Sequence, residues 1–394
     1  MMLRFLFFFS FLLVFYCYIG YGILIYLLVK LKKLFPSNST LQPVPDFEPE
    51  ITLVVAAYNE ADFIERKIRN SLELDYPTGK LRMIFITDGS TDGTPEIIRE
   101  FSQILLLHQP ERKGKVAAMN RAIKYVETPY VIFSDANTLL NTSCVREIVK
   151  HYIDPRVGGV AGEKKIISKQ KDMAAGAGEG IYWKYESLLK KLDSEFYTVV
   201  GAAGELFSVK TELFHEAAED TIIEDFVQSL QICMEGYVIR YEPRAFAVET
   251  ASATMREEQK RKIRIAAGAF QAMRILKNLF NFRRYPVLSF QYISHRVLRW
   301  TLCPISLIVC FISNFLLVHY EAAGFYQVVL LAQIVFYAMA VTGYLFASRN
   351  LKIKALYIPY YFLFMNLSVF MGFYRFIRNK QTALWEKAAR HSQH

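Results

Sequence analysis

Four long apolar runs divide the chain, one near its start and three in its last quarter. The first run, Phe5–Val29, contains no charged residue and is long enough to cross the hydrocarbon core of a bilayer. The other three runs are Leu302–Val318, Phe325–Phe346 and Leu356–Tyr374. The rest of the chain is too short to bury that much apolar surface, so the pattern predicts four membrane-spanning segments.

Two other interpretations of these runs are weaker. A cleaved signal peptide would explain the first run, but the run is longer than a signal core. It is followed by Lys30, Lys32 and Lys33 where a small-residue cleavage site would stand. Helices buried in a soluble core would explain the other three runs, but they would need a much larger domain around them.

Between the first and second apolar runs, short β-branched segments alternate with amphipathic ones. The predicted strands are Ile51–Ala57, Met83–Thr87, Ile104–His108 and Val131–Ser134, and the predicted helices are Glu60–Leu74, Thr91–Phe101, Lys115–Val126 and Phe226–Met234. This alternation is typical of an α/β domain with an open, mostly parallel sheet. The proline-rich stretch Pro36–Pro49 predicts a linker in front of that domain.

Composition supports a membrane protein with a cytosolic domain. Of 394 residues, 53% are hydrophobic, and the formal charge is +10. The positive excess lies beside the apolar runs and in Arg256–Arg264, which suits an anionic cytoplasmic leaflet better than nucleic acid. The five cysteines are scattered and form no CxxC pair, so neither a disulfide framework nor a zinc site is predicted.

The distribution of positive residues leaves the membrane topology open. Basic residues after the first run, Arg296 and Arg299 before the second, and Arg349, Lys352 and Lys354 before the fourth all indicate cytosolic segments. The tail is also basic, with Arg375, Arg378, Lys380, Lys387 and Arg390, yet four crossings would place it outside. Either one C-terminal run does not cross fully, or the positive-inside rule fails here.

Polar residues directly follow three of the four predicted strands. They are Tyr58-Asn59-Glu60, Asp88-Gly89-Ser90 and Asp135-Ala136-Asn137. Ligands bind at the carboxyl ends of strands in such sheets, so these groups are candidates for one site. Asp88 can accept hydrogen bonds from a base or ribose, although an ordinary tight turn also explains it. Asp135 and Asn137 offer oxygen ligands to Mg²⁺ or Mn²⁺, although an acidic turn or helix cap is the alternative.

Charged residues farther along the chain allow two interpretations each. Lys113 and Lys115 can meet a diphosphate beside a helix N-terminus, or form a solvated basic loop. Asp225 can act as a general base or as a helix cap. Arg261 and Arg264 can stabilise a diphosphate leaving group, or lie on a helix at the membrane surface.

Taken in order, these motifs resemble one known family. The set comprises Ala57-Tyr58-Asn59-Glu60, Asp88-Gly89-Ser90, Lys113-Gly114-Lys115, Asp135-Ala136-Asn137, Glu224-Asp225 and Arg261–Gly268. It resembles the inverting family-2 glycosyltransferases of the nucleotide-diphospho-sugar transferase (GT-A) fold. The similar branch is the membrane-bound one, with cellulose, hyaluronan and poly-N-acetylglucosamine synthases. The resemblance runs from about Ile51 to Gln271.

The resemblance implies a role for each matching residue. The donor-binding residues would be Tyr58, Glu60, Asp88, Lys113, Lys115 and Asp135, with the first three around the nucleoside, usually uridine. Asp135 and Asn137 would hold Mg²⁺ or Mn²⁺. Asp225 would be the catalytic base, and Arg264 would offset charge on the leaving group. Gly204, Glu224 and Arg261 would contact the acceptor.

The chain departs from the family pattern at two places. Asn137 stands where many members have a second Asp, which makes it a weaker ligand. The family's Gln-x-x-Arg-Trp motif is also altered. Aligned on Gly268, its Gln, Arg and Trp become Arg261, Arg264 and Ile265; aligned on Gln259, the last two become Lys262 and Ile263. In both registers the Trp, whose ring would stack on a sugar, is missing, which argues against processive polymerisation.

These observations predict the organisation and the activity. The expected parts are a transmembrane helix (1–33), a linker (34–49), a cytosolic GT-A domain (50–255), amphipathic interface helices (256–300), about three transmembrane helices (301–375) and a basic tail (376–394). The expected reaction transfers a sugar from a nucleotide-sugar, usually a UDP-sugar, to a membrane glycan or lipid-linked acceptor. The setting would be exopolysaccharide or envelope-glycan synthesis at a bacterial inner membrane.

Two other functions remain open at this point. One is a processive synthase that also translocates its product through its own spans. The other is a non-catalytic nucleotide-sugar-binding subunit, which the presence of Asp225 disfavours. The sequence does not identify the sugar, the acceptor or any partner subunit.

Overall fold

The computed structural model describes residues 1–35, 47–167, 173–250, 255–321, 324–349 and 353–378. Three predicted features lie outside these residues: most of the linker (36–46), Lys352 and the end of the basic tail (379–394).

Eight strands form one sheet in the order β3-β2-β1-β4-β7-β6-β8-β5. The strands are β1 (Ile51–Ala57), β2 (Leu81–Asp88), β3 (Leu105–Gln109), β4 (Tyr130–Asp135), β5 (Leu139–Leu140), β6 (Val157–Ile167), β7 (Leu206–Lys210) and β8 (Val238–Thr250). The first four are parallel, β7 is antiparallel to both its neighbours, β6 and β8 are parallel, and β5 is antiparallel to β8. The predicted α/β fold with a mostly parallel sheet is therefore confirmed.

Helices lie on both faces of the sheet and continue into the apolar segments. They are α1 (Met2–Phe15), α2 (Tyr21–Leu34), α3 (Ala61–Leu72), α4 (Thr94–Arg99), α5 (Lys115–Ile123), α6 (Cys144–Val149), α7 (Met173–Phe196), α8 (Glu224–Met234), α9 (Met255–Ile275), α10 (Pro286–Tyr292), α11 (Leu298–Trp300), α12 (Leu302–Glu321), α13 (Gly324–Ser348) and α14 (Lys354–Ile377). A π-helical turn, Tyr16–Gly20, joins α1 to α2 without a break in the helix.

Strand β1 shows why the sheet is buried on both sides. All seven of its residues are buried. Val55 packs with helices α3 and α6 on one face, whereas its neighbour Val54 packs with α5 and α8 on the other. Alternate side chains of a strand point to opposite faces, so a strand covered twice reads as a continuous apolar run. This is the pattern that allowed β1 to be predicted to the residue.

Among the described residues, four helices are long and apolar enough to cross a membrane: Met2–Leu34, α12, α13 and α14. Helix α1 packs against α12, with an ion pair of 2.9 Å between Arg4 and Glu321 at one end of the pair. At the other end, the Arg299 guanidinium donates to the Cys17 carbonyl (3.0 Å) just before α12 begins. The two helices are therefore antiparallel neighbours.

A buried ionic cluster joins the N-terminal helix to the α/β domain. We use this name for Glu186, Asp193, His295, Arg296 and Arg299. Asp193, which is fully buried, accepts hydrogen bonds from Tyr21 Oη (2.5 Å), Gln291 Nε2 (3.1 Å) and His295 Nδ1 (2.6 Å). Glu186 accepts from Arg296 Nη1 (3.0 Å) and from Arg299.

The cluster ties three distant parts of the chain together. Tyr21 belongs to α2, the two acids to α7, and His295 and both arginines to the stretch just before α12. The cations beside Glu186 hold the pKa of its carboxyl well below the ordinary value, although burial alone would raise it. Each charge therefore depends on its partners for solvation.

Loss of one member of this cluster is expected to destabilise the whole protein. Removing one partner of a buried ion pair leaves an uncompensated charge and costs about 3–5 kcal/mol, so Glu186→Ala should lower the melting temperature in detergent by many degrees. The control is Glu65→Ala, which breaks the exposed i,i+4 pair with Arg69 and should change stability very little. Equal melting temperatures for the two variants would contradict the proposed role of the cluster.

Candidate active site

Hydrogen bonds between backbone amides and side-chain oxygens hold the loops after β1 and β2 together. Asn59 adopts a left-handed conformation (φ 52°), and its side-chain oxygen accepts from the Thr91 amide (2.8 Å). The Glu60 amide donates to Thr94 Oγ1 (2.9 Å), and Asp92 accepts from the Ala61 amide (3.0 Å). The two predicted strand-end motifs therefore form one rigid edge of the site.

Asp88 attaches a third segment, Lys113-Gly114, to that edge of the site. Its buried carboxylate accepts hydrogen bonds from the backbone amides of Lys113 (3.1 Å) and Gly114 (2.6 Å). Gly89, at φ 66°, is so close to Arg112 that an added Cβ would lie 2.7 Å from its Cβ atom. The guanidinium of Arg112 in turn lies 3.8 Å from the centre of the Tyr58 ring. The predicted donor residues Tyr58, Asp88 and Lys113 are therefore neighbours.

Lys115 lies among carboxylates from two different elements. Its Nζ atom is 2.8 Å from Asp135 Oδ1, at the end of β4, and 3.2 Å from Glu224 Oε1, at the start of α8. Burial opposes the charged form of Lys115, but Asp135, Glu224 and Asp225 outweigh it and raise the pKa of the ammonium. Lys115 is therefore cationic at any physiological pH.

Asp225 is a carboxyl group of this site whose acidity is strongly weakened. Burial first, and then the negative charge of Glu224, raise its pKa from 3.8 to about 7, while Lys115 opposes the shift. A carboxylate whose pKa is near the working pH can both accept and release a proton, which is the property required of a general base. Burial and charge therefore support the base role better than the helix-cap alternative.

Gly204 and Arg264 complete the surroundings of Asp225. A Cβ added to Gly204 would lie 2.7 Å from Lys115 Nζ and 3.4 Å from Asp225 Oδ2, so the chain passes directly against both groups. Arg264, half-buried on α9, has its pKa lowered by burial, against the opposing effect of Glu224, Asp135 and Asp225. Three carboxylates and two cations thus share one small volume.

Arg261, which is also on α9, pairs with an acidic residue next to Gly204. Its guanidinium pairs with Glu205 (3.2 Å), which follows Gly204 directly in the chain. Lys164 pairs with the same Glu205 and with Glu249. We call Lys164, Glu205, Glu249 and Arg261 the Glu205 network. It braces the Gly204 backbone, and it places Arg261 against an acid of the protein.

Several residues of this site carry no recognisable signal in the sequence. Glu205 directly follows the predicted acceptor residue Gly204, but its partners Lys164 and Glu249 lie on β6 and β8, in segments without a recognisable motif. Arg112 was part of a basic loop, and nothing in the sequence indicated that it stacks on Tyr58. Only the register of β6 and β8 brings Lys164 near Glu249.

A divalent cation would find a partial ligand set here. Asp135 and Asn137 lie two residues apart at the end of β4, and oxygen atoms of this type suit Mg²⁺ or Mn²⁺. Within the described segments, no group of three His, Cys, Asp or Glu side chains is arranged to hold a metal ion. The residues therefore fit a cation that takes its remaining ligands from a bound diphosphate.

Comparison with known proteins identifies the α/β domain. The family model for Glycosyl transferase family 2 matches residues 52–217, which contain β1 to β7 and most of the site. These residues form a family-2 glycosyltransferase domain. The predicted family and enzyme class of this domain are therefore confirmed.

Its curated relatives include poly-β-1,6-N-acetyl-D-glucosamine synthases of staphylococci. The glycosyltransferase is 31% identical over 260 residues to the synthase of Staphylococcus aureus strain MSSA476, with 62% of this chain and 61% of that protein covered. It is 28% identical over 235 residues to the synthase of Staphylococcus epidermidis, with 57% and 55% covered. The match thus spans less than two thirds of each relative.

A solved structure shows that the fold extends over nearly the whole chain. It is the mannosyltransferase PcManGT from Pyrobaculum calidifontis in complex with GDP-Man and Mn²⁺. The TM-score is 0.68 at 22% identity, with 94% of this chain and 99% of that chain covered. The GT-A fold with attached apolar helices, predicted from the sequence, is therefore confirmed.

The close approach at Gly204 gives a test of the site geometry. In Gly204→Ala the new methyl group would displace the Lys115 ammonium from Asp135, so we expect turnover to fall roughly 100-fold, as for other displacements of about 1 Å. Gly324→Ala is the control, because a Cβ at Gly324 meets no atom within 4 Å. Turnover of both variants would be measured as glycosyl transfer or donor hydrolysis. Wild-type turnover in Gly204→Ala would show that the Lys115 position is not needed.

Proposed function

We propose that this glycosyltransferase moves a sugar, with inversion, from a nucleoside diphosphate sugar to a hydroxyl group of a membrane-associated glycan or lipid-linked acceptor. The observation that carries the proposal is the convergence of Asp225, Lys115, Asp135 and Arg264 at the carboxyl edge of the parallel strands. This arrangement supplies a base of suitable acidity next to cations that suit a diphosphate.

The donor binds along the locked strand ends. Tyr58 and Glu60 border the nucleoside, and Asp88 acts by holding the amides of Lys113 and Gly114 in place. The exposed Lys113 side chain is free to face a phosphate or solvent, whereas its amide is committed to Asp88. UDP-sugars are the first donors to test and GDP-sugars the second, since the structural neighbour was solved with GDP-Man.

The reaction is a single in-line displacement at the anomeric carbon. Asp225 accepts the proton of the attacking hydroxyl as the new C–O bond forms and the bond to the diphosphate breaks. One displacement inverts the anomeric centre, so an α-linked donor yields a β-linked product. Gly204 leaves room for the acceptor beside this carboxylate, and Glu224 borders the same space.

The leaving nucleoside diphosphate gains negative charge, which Arg264 and Lys115 offset. Asp135 and Asn137 would hold a Mg²⁺ or Mn²⁺ ion, which would add positive charge at the diphosphate when bound. The protein's own contribution is to keep these groups fixed before the substrate arrives. Arg261 acts indirectly, by bracing Glu205 next to Gly204.

The acceptor is expected at the membrane surface. The candidate spans lie at both ends of the chain, and the buried ionic cluster holds the N-terminal one against the domain. Basic residues beside the spans support a domain on the cytosolic side of the membrane, which in this proposal is a bacterial inner membrane. The divisions 1–33, 50–255, 256–300 and 301–375 remain our proposal for the functional parts.

A processive synthase is the second candidate. It is favoured by the similarity to the poly-β-1,6-N-acetyl-D-glucosamine synthases, whereas the absence of an aromatic residue at Ile265 favours single addition. Purified enzyme would be given a panel of radiolabelled UDP- and GDP-sugars with Mg²⁺ or Mn²⁺, and the products would be separated by size. We expect one short product, because Ile265 cannot stack on a growing glycan. A ladder of long chains would instead assign the protein to the synthases.

Asp225→Asn tests the base assignment. We expect this variant to bind the nucleotide donor as the wild type does, while turnover falls about 10²–10⁴-fold because the amide cannot accept the proton. The exposed Asp220→Asn, which makes the same chemical change nearby, should keep full turnover. Binding is measured by calorimetry and turnover with the labelled donor.

The same assignment fixes the direction of the pH dependence. Asp225 must be ionised to accept a proton, and its pKa is about 7, so kcat/KM should rise tenfold per pH unit below pH 7 and level off above it. A flat profile between pH 5.5 and 8 in the wild type, or residual turnover in Asp225→Asn above one tenth, would show that another group is the base.

A further inference from the structure

For helix α14, composition and the positions of basic residues disagree about whether it crosses the membrane. Its length and composition would allow it to cross a membrane. A fourth crossing, however, would place the basic residues that follow it on the side opposite to the other basic segments. The contacts that α14 makes with the rest of the protein indicate whether it crosses the membrane.

Helices α1, α12 and α13 define a bundle with a near end and a far end. The near end adjoins the α/β domain, where Cys17 meets Arg299 at the start of α12. The far end carries the Arg4–Glu321 ion pair and the contact between Phe7 and Tyr326 (ring centres 5.5 Å apart). Helix α12 has 20 residues and is about 30 Å long, which matches the hydrocarbon core of a bilayer.

The first half of α14 contacts the near end of this bundle. Tyr18, one residue beyond Cys17, donates from its hydroxyl to Asn366 Oδ1 (3.0 Å), and its ring lies 4.8 Å from that of Phe362. Gly343, in the last turns of α13, is so close to the Leu356 carbonyl that an added Cβ would lie 2.3 Å from its oxygen. The Phe362 ring also lies 5.6 Å from that of Phe336, in the middle of α13, so this half of α14 begins at the near end and runs part of the way back along α13.

The second half of α14 does not turn toward the far end but continues along α9. An added Cβ on Gly372 would lie 2.5 Å from Ala266 Cβ, and the ring of Phe373 is 4.9 Å from that of Phe270. At the other end of the pair, Tyr357 Oη lies 3.2 Å from Met255 Sδ. The two helices thus run side by side in the same direction over almost their whole lengths.

Helix α9 itself is fixed to the α/β domain. Its Gln271 side chain accepts from the Ile222 amide (3.0 Å), Gly268 packs against Ile222, and Arg261 pairs with Glu205. It also carries the charged residues Arg256, Lys260, Lys262 and Arg264. A helix with so many charges, bound to the domain, does not lie in the hydrocarbon core.

We propose that α14 does not cross the bilayer but lies along its cytoplasmic leaflet beside α9, with both of its ends on the side of the α/β domain. Its exposed apolar residues, which include Leu367, Met371, Phe373 and Ile377, then face the lipid. Polar groups that are costly in a lipid core, Asn366 and Ser368, are buried against protein. The protein has three crossings, and the basic tail is on the positive-inside side.

This topology can be tested with single-cysteine variants that are labelled by a membrane-impermeant maleimide. The five natural cysteines are all buried, so the background is low. Ser392→Cys reports the tail, Thr78→Cys the exposed surface of the α/β domain, and Tyr320→Cys the far end of α12. Labelling is compared between inside-out and right-side-out vesicles from cells that express the full chain.

We expect Ser392→Cys and Thr78→Cys to react in the same vesicle orientation and Tyr320→Cys in the opposite one. Reaction of Ser392→Cys together with Tyr320→Cys would show that α14 crosses, and would overturn the proposal. The measurement does not use catalysis, so its result is independent of the function proposed above.

A paired charge substitution gives a second readout. Leu367 and Leu331 are both exposed apolar residues near the middle of their helices, α14 and α13. A lysine in the middle of a true span is costly, whereas one at the interface reaches water. Leu367→Lys should therefore accumulate in membranes at the wild-type level, and Leu331→Lys should be depleted several-fold. Equal depletion of both would contradict an interfacial α14.

Discussion

The buried ionic cluster sets the position of everything else in this protein. Polar contacts in a buried environment attach the N-terminal helix to the α/β domain. Asp193 alone receives hydrogen bonds from the N-terminal helix, from α10 and from His295. Because each buried charge is solvated only by its partners, the three segments can pack in one arrangement only.

A similar balance of charge governs the active site. Asp135, Glu224 and Asp225 come from two elements that are far apart in sequence, and Lys115 and Arg264 partly neutralise them. Burial first, and then the negative charge of Glu224, raise the pKa of Asp225 to about 7, against the opposing effect of Lys115. A carboxyl group that titrates near neutral pH thus follows from burial and local charge, and Gly204 leaves the space for so close an arrangement.

Some parts of the structure were predictable because one local rule decides them. Ile51–Ala57 is apolar at every position because both faces of β1 are covered, and its bounds were predicted to the residue. The strand-end residues Tyr58, Asp88 and Asp135 were predicted as neighbours, because parallel strands end at one edge of a sheet. By contrast, helix α7 and the residues that pair across β6, β7 and β8 were not anticipated, since no motif marks them.

The sequence by itself determined the family, the parallel half of the sheet and the apolar segments, because each depends on residue type and spacing within a short stretch. Only the tertiary structure decided which charges meet. Arg261 could be assigned to an acceptor by its place in a motif, yet its guanidinium lies against Glu205, 56 residues away in sequence. Likewise, α14 has the composition of a span, but it packs along α9 as well as against α13 and Tyr18. Composition sets how apolar a helix is; where that helix lies depends on the surfaces that pack against it.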